Sequence, residues 1–450
     1  MEDGLRSNGW LVAAPLAAMG TIPFRERSTA QLSNRLVDCM RWTVDQRPLR
    51  EAASRRARGT PGYRRVLALF GVMLVLAMVV SACTGGRIAV EKGWSAPNVV
   101  DGFIYVGSRD GRLLKIETSR ALDINPSLQD SRTRTLVLKG LTIDQFADRG
   151  EWQFPAGKDE SIGAIYGTPL VTDDLVYIGS LRRQVYALEK VDGFRAWEFQ
   201  TEGRVFGSPT LYDGTIFIAD EEGFIYGIDA ETGLAVWPRV KLAGKRIWSQ
   251  AAVADGVVYI GAMDKRLYAL DADTGELRWT FKADGAIASK PLLVGDFLYV
   301  GDFDRKFYAI DRETGEKRSV FEGDSWFWND AIFHNGIIYV GSLGGTLYAL
   351  EAETLRELRR FPAQNSVAST TPIRSGPVIV DDRVYVATRG GVVHVLDLDL
   401  RPADQDHTLG KRILASLVEA DGKVYVHDSD QRLHVLEPRS RPTRQSRGAS

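Results

Sequence analysis

Short apolar runs separated by turn residues recur along this chain from about residue 99 to residue 437. In eight of them a Gly or Asp is followed three positions later by an aromatic: Gly102/Tyr105, Asp174/Tyr177, Gly214/Phe217, Gly256/Tyr259, Asp296/Tyr299, Gly336/Tyr339, Asp382/Tyr385 and Gly422/Tyr425. Successive aromatics are 72, 40, 42, 40, 40, 46 and 40 residues apart. A period near 40 marks one supersecondary unit copied along the chain. In the clearest copy, 248–285, an apolar run ends at Asp255-Gly256, a pair suited to a two-residue hairpin. Residues 257–262 then read as a second strand, 267–271 as a third and 276–281 as a fourth, with turns at 263–266 and 273–275. Four short antiparallel strands in such a unit predict a propeller blade. Both faces of a blade are apolar, so only a stacked ring can bury them.

The copies at 94–157, 164–203, 204–244, 245–285, 286–325, 326–363, 372–410 and 411–437 predict an all-β, eight-bladed propeller of four-stranded antiparallel blades. The last copy stops after its third strand, at Leu433-His-Val-Leu-Glu437. Its missing outer strand is expected from Arg87-Ile-Ala-Val-Glu91, an N-terminal strand that would close the ring and remove both open edges. Blade 1 carries an insertion of about 28 residues, at 119–148, which is long enough to be a disordered loop or a functional one. Residues 361–376 also lengthen the approach to blade 7.

Two stretches resemble the pyrroloquinoline-quinone-like (PQQ-like) repeat family: Tyr268-Ala-Leu-Asp-Ala-Asp-Thr-Gly-Glu-Leu-Arg-Trp279 and Tyr226-Gly-Ile-Asp-Ala-Glu-Thr-Gly-Leu-Ala-Val-Trp237. The resemblance covers about residues 87–437 and implies that Trp152, Trp197, Trp237 and Trp279 dock between blades. Quinoprotein dehydrogenases share the repeat. Resemblance to those enzymes would imply an adjacent-Cys disulfide and a Trp around the quinone, a calcium held by Glu and Asn, and an Asp base. Here Cys39 and Cys83 are the only cysteines and neither lies in the repeats, so a quinone-dependent oxidoreductase is only a remote alternative. The five histidines, His334, His394, His407, His427 and His434, show no zinc-ligand spacing. No enzyme activity, cofactor or metal is expected.

Charge is balanced, with 57 Lys+Arg against 58 Asp+Glu, and gives no global field for nucleic acid. It is unevenly placed. Residues 1–65 hold 12 Arg, no Lys and 6 acidic groups, leaving 45 basic and 52 acidic groups in the rest. Between the two parts, Arg64-Arg65 precedes an apolar stretch at 66–80 that leads into Ser81-Ala82-Cys83. This is the layout of a secretory signal, and the stretch is short for a spanning helix. Val80-Ser81-Ala82-Cys83 also resembles a bacterial lipobox, which implies that the Cys83 thiol is acylated. The expected organisation is a leader at 1–60 (disordered, or upstream of the true start), a lipoprotein signal and anchor at 61–83, a propeller at 84–437 and a disordered tail at 438–450. The body would be a monomeric, extracytoplasmic lipoprotein held on the membrane through Cys83.

Candidate chemistry comes from the register. Eight positions before each turn residue, where the innermost strand begins, stand Trp94, Tyr166, Phe206, Trp248, Ala288, Trp328, Arg374 and Leu414. The loops between second and third strands should open on that same face, and several are basic: Arg109 and Arg112, Arg182-Arg183, Lys265-Arg266, Arg305-Lys306 and Arg432. Glu221-Glu222 and Gly344-Gly345 break the pattern. Three readings stand: rings that plug the channel beneath solvated loop tips, an aromatic mouth in a cationic rim that takes a partner, or a funnel for a small ligand. With its lipobox and PQQ-like blades, the chain is similar to the BamB family of outer-membrane β-barrel assembly lipoproteins. That resemblance implies a scaffold with protein partners in the cell envelope, sorted to the outer membrane where the organism has one. The alternative is a cell-surface propeller that binds or senses a peptide or polysaccharide.

Overall fold

The computed structural model describes residues 95–108, 110–119, 133–138, 150–157, 160–244, 246–362 and 371–439. All lie in the second of two compact units, Ile88–Ser450. The leader, the apolar stretch 66–80, Cys83, Trp94 and Arg109 lie outside the described residues, as does the tail from 440 onward.

Eight four-stranded antiparallel sheets follow one another as the blades of a propeller. Blade 4 shows how the sequence builds one. Ala252–Ala254 is the innermost strand, followed outward by Val257–Gly261, Arg266–Asp271 and Leu277–Lys282. Asp255 and Gly256 turn the first hairpin with φ of 51° and 70°. Both central residues are thus left-handed, the two-residue geometry that matches strand twist. The same φ signs recur at Asp101-Gly102, Asp213-Gly214, Asn335-Gly336 and Asp421-Gly422, and at Asp381-Asp382 without a glycine.

Three positions past the turn, the chain points its aromatic into the gap between blades. All eight aromatics are buried. Each contributes about 1.5–3 kcal/mol by leaving water. In several blades the phenol also reaches a backbone carbonyl of the next blade: Tyr177 to Ala230, Tyr259 to Arg312, Tyr299 to Ala352 and Tyr339 to Leu398, at 2.8–3.1 Å. The outer-strand tryptophans cross the same gap. Trp152, Trp197, Trp237 and Trp279 donate their indole N–H to Lys190, Ala230, Ala272 and Arg312. Their rings lie on Gly193, Gly233, Gly275 and Gly315, where a Cβ would come within 2.5–2.8 Å of the indole. The repeat motif therefore encodes interblade docking.

Ring closure differs from the sequence expectation. The outer strand of blade 8 is Thr133–Val137, from the blade 1 insertion, paired with Arg432–Leu436; it takes the place assigned to residues 87–91, which are outside the described residues. The physical reason is visible in its alternation. Leu136 and, just beyond the strand, Leu138 are buried against Leu433 and Val435, while Val137 points outward. The chain thus runs through three strands of blade 1, crosses to complete blade 8, and returns at Trp152–Phe154 to complete blade 1. Part of the insertion is a structural staple.

The closing seam also inverts a size rule. At the end of the second strand stand Gly107, Gly179, Ala219, Gly261, Gly301, Gly341 and Ala387, but His427 in blade 8. At Gly261 and Gly301 a Cβ would come within 2.2 Å of Ile287 and Phe327 of the next blade. His427 instead fills the space itself and bonds the Ser95 carbonyl through Nδ1 at 2.9 Å. Its pKa is lowered below the ordinary histidine value by burial.

Candidate partner-binding face

In blades 2 to 8 the chain enters through a short segment that is clipped to the loop between that blade's second and third strands. The amides of Leu181, Glu221, Met263, Phe303 and Leu343 bond the carbonyls of Ala164, Arg204, Arg246, Ala286 and Trp326. These bonds put the entering segment and the loop tips on one face. Two positions further on stand Tyr166, Phe206, Trp248, Ala288 and Trp328.

There the aromatics meet one another. Ring centroids lie 5.2 Å apart for Tyr166 and Phe206, 5.8 Å for Phe206 and Trp248, and 6.0 Å for Trp248 and Trp328. Trp328 stacks on Phe303 at 5.0 Å and 15°, and Phe303 stacks on Trp326 at 5.1 Å and 6°. The result is a continuous arc from blade 2 to blade 6. All six rings are half-buried. Blade 5 places Ala288 at the register position, and the arc passes that gap by direct contact between Trp248 and Trp328.

Cations cover faces of the rings. Arg374 lies 4.5 Å from the Trp328 centroid, Arg204 5.7 Å from Phe206, and Arg246 5.8 Å from Trp248. Each such pair contributes about 0.5–1 kcal/mol when exposed. Arg204 and Arg246 also converge on the Glu221 carboxylate. Glu221, which breaks the basic pattern in the sequence, is thus the anchor for two of the stacked arginines.

The cationic rim is less free than the sequence suggests. Arg305 pairs with Glu322 at 2.8 Å, Lys306 pairs with Asp284, and Lys265 Nζ donates to the Asp284 carbonyl at 2.7 Å. The hydrogen bond from Lys306 holds Asp284 below the usual carboxylate range. Arg183, Lys265 and Arg305 occupy the left-handed position of their loops, with φ of 65°, 74° and 66°. Blades 3 and 6 use Gly223 and Gly345 there. Arg182, Arg183, Lys265, Arg266 and Arg305 are exposed, and Arg112, Lys306 and Arg374 are half-buried.

Beneath the arc, polar groups tie inner strands to their neighbours. Thr168 N–H donates to Ser208 Oγ, Gln250 Nε2 to Thr210 Oγ1, and Lys290 N–H to Asp330 Oδ1 at 2.8 Å. Burial pushes the Asp330 carboxyl above its ordinary value despite that hydrogen bond. The Trp248 indole N–H is buried and has no acceptor.

Of the residues singled out in the sequence, Tyr166, Phe206, Trp248, Trp328 and Arg374 are brought together, while the rim cations stand around them on separate loops. Phe303, Trp326, Arg204 and Arg246 were missed. Three of these were within reach of the same register. Ten positions before the turn residue stand Arg204, Arg246 and Trp326, two positions ahead of the register residues Phe206, Trp248 and Trp328.

The family model described as outer membrane protein assembly factor BamB matches residues 142–246, 238–329 and 325–440. The chain belongs to the BamB family. BamB from Moraxella catarrhalis has a similar structure, with a TM-score of 0.60 at 18% identity, over 77% of this chain and 95% of that one. The computationally designed Ika8 protein matches equally well in shape, with a TM-score of 0.60 at 15% identity, over 77% of this chain and 97% of its own. At these identities the likeness to both is one of fold. No curated protein matches the chain.

Proposed function

We propose that this BamB-family chain is a non-enzymatic scaffold that binds a protein partner through the aromatic arc and assists assembly of β-barrel proteins in the outer membrane. In this reading acylated Cys83 holds it on the membrane and the propeller works on the extracytoplasmic side. The observation that carries the reading is the arc itself: six half-buried rings in one unbroken contact path on the loop face. Aromatic clusters framed by polar groups are where binding energy concentrates in protein interfaces. Rings serving only as channel filler would also be expected in blades 7 and 8, where Arg374 and Leu414 stand instead.

Site-specific photocrosslinking tests this in the native envelope. A crosslinker at Met263 or Leu343, beside the arc, should join the chain to a subunit of the barrel-assembly machinery. A crosslinker at Glu276, on the turn between third and fourth strands, should not. Equal crosslinking from both positions would remove the arc from the account.

A further inference from the structure

Successive strands of a blade run in opposite directions, so the first hairpin and the turn between third and fourth strands lie on the face opposite the loop tips. Directly after the turn glycine, blades 4 and 5 place Glu276 and Glu316, and blade 6 has Arg356 at the same position. Blades 2 and 3 place Phe194 and Leu234 there, 73% and 69% exposed. Val191, 79% exposed, precedes Phe194 in the same turn, and Val236, 43% exposed, follows Leu234. These are four of the eight exposed large apolar side chains among the described residues, so they form a patch rather than the single exposures normal for a surface. The two turns adjoin. The Trp197 ring, three residues after Phe194, lies on Gly233 beside Leu234, and its indole N–H donates to the Ala230 carbonyl at 2.9 Å.

The patch sits in a frame of carboxylates. Glu189 and Asp192 stand on either side of Val191, and Glu231 precedes Leu234. The hairpins join the same frame through backbone bonds, Lys190 N–H to the Asp174 carbonyl and Ala230 N–H to the Gly214 carbonyl, which bring in Asp173, Asp174 and Asp213. All six carboxylates are exposed, and none forms an ion pair among the described residues. Lys190 and Arg195 are the only cations of these turns, and they are held by other carboxylates, Asp101 and Glu198. Lys115, whose charge Asp192 feels, is buried with its ammonium on the Lys190 carbonyl.

We propose that the turn face of blades 2 and 3 is a second interaction surface, and that its occupant is a polypeptide segment carrying apolar side chains beside Lys or Arg. The inference does not rest on the arc as a partner site. Charge complementarity chooses the occupant. An anionic membrane surface would set lipid phosphates against Glu189, Asp192 and Glu231. A second copy joined through the same patch would set those carboxylates against their own counterparts, because a two-fold contact uses one surface twice. A cationic amphipathic segment avoids both conflicts. Its apolar side chains cover Phe194 and Leu234, while its ammonium or guanidinium groups reach the carboxylates around them.

The test is fluorescence anisotropy of labelled, end-blocked dodecapeptides with the full-length chain. One peptide combines Leu and Lys; the second has Glu in place of Lys; the third keeps Lys but has Ser in place of Leu. The first should bind at least tenfold more tightly than either of the others, and its affinity should fall with added salt. Phe194→Ser with Leu234→Ser should remove that advantage and leave thermal melting unchanged, since both side chains are exposed. Val320→Ser, at an exposed residue in the outer strand of blade 5, should bind as the parent does, and so should Trp328→Ala in the arc. Equal affinity for the Lys and Glu peptides overturns the proposal, as does binding that survives the double substitution, or no binding by any peptide. Loss of binding in Val320→Ser or Trp328→Ala places the peptide elsewhere and overturns it too. If the double substitution instead abolishes sedimentation with phosphatidylglycerol vesicles, or concentration-dependent self-association, the patch belongs to a membrane or to a second copy and the proposal fails. Capture of the assembly partner is read separately through Trp328→Ala, so the arc reading stands or falls by itself.

Discussion

His434 Nδ1 lies 2.8 Å from the Thr135 hydroxyl, joining two residues 299 positions apart. The other ring nitrogen reaches Asp428 at 3.0 Å, so the histidine bridges the third strand of blade 8 to both its loop and its outer strand. His407, in the outer strand of blade 7, lies 3.0 Å from Thr133 Oγ1 through its Nδ1. These contacts fasten the strand at 133–137, which comes from the blade 1 insertion, to blades 7 and 8 by side chains as well as by the backbone ladder.

Leu136→Ala therefore acts on the closure of the ring. Leu136 is buried against Leu433 and Val435, and truncating a buried leucine costs about 2–5 kcal/mol. Urea unfolding should show that loss, and limited proteolysis should first cut near blades 1 and 8. A change under 0.5 kcal/mol, the range of surface substitutions, would mean that the strand at 133–137 does not hold the edge.

The seam also predicts a pH dependence. Burial lowers the pKa of His427 below 6.5, with Asp428 and His434 as its titratable neighbours. The unfolded chain then takes up this proton before the folded one. Stability is fully present above pH 6.5 and falls as the pH drops below it. His427→Gln, which keeps an N–H for the Ser95 carbonyl, should lose less stability than the parent chain between pH 7.5 and pH 5.5. Equal losses in urea titrations would remove His427 as the cause.

Asp330 gives the opposite slope. Its folded pKa is raised by burial, so the folded state holds its proton more tightly than the unfolded chain. Stability is greatest below the ordinary carboxyl value of 3.8 and declines as pH rises through the raised value. Asp330→Asn keeps an acceptor for the Lys290 amide and removes the charge. The variant should melt higher than the parent at pH 7; a lower melting temperature would show that the carboxylate is needed in ionised form.

Arg183 holds a left-handed backbone with φ of 65°, a conformation that costs a non-glycine residue about 1–2 kcal/mol. Arg183→Gly should raise stability by roughly 1 kcal/mol. If the rim takes part in partner recognition, the same change should weaken capture. A stabilised chain with unchanged capture would confine Arg183 to a loop-tip role.

How much of this was legible in the sequence depended on whether a feature repeats. Tyr259 and its seven counterparts could be read because each blade restates the same turn and the same interblade gap. The closing strand could not, because residues 133–137 have no periodic counterpart and acquire an identity only by pairing with Arg432–Leu436. Phe303 and Trp326 were hidden for a related reason. Their stacking joins an intrablade loop of blade 5 to the entry of blade 6 across space, which spacing along the chain does not show. The rim misled in the other direction: Arg305 looks like a free cation until Glu322 is placed beside it.

The central claim is that the arc captures a protein of the barrel-assembly machinery, and quantitative capture with an arc variant tests it most directly. The full-length chain and its Phe303→Ala/Trp328→Ala form would be immobilised, each with its melting temperature measured. Both would then be presented with solubilised envelopes in which the assembly protein is followed by immunoblot. The account predicts that the parent retains the assembly protein and that the variant, still folded, retains at least tenfold less. Equal retention by the folded variant, or no retention by the parent, would contradict it.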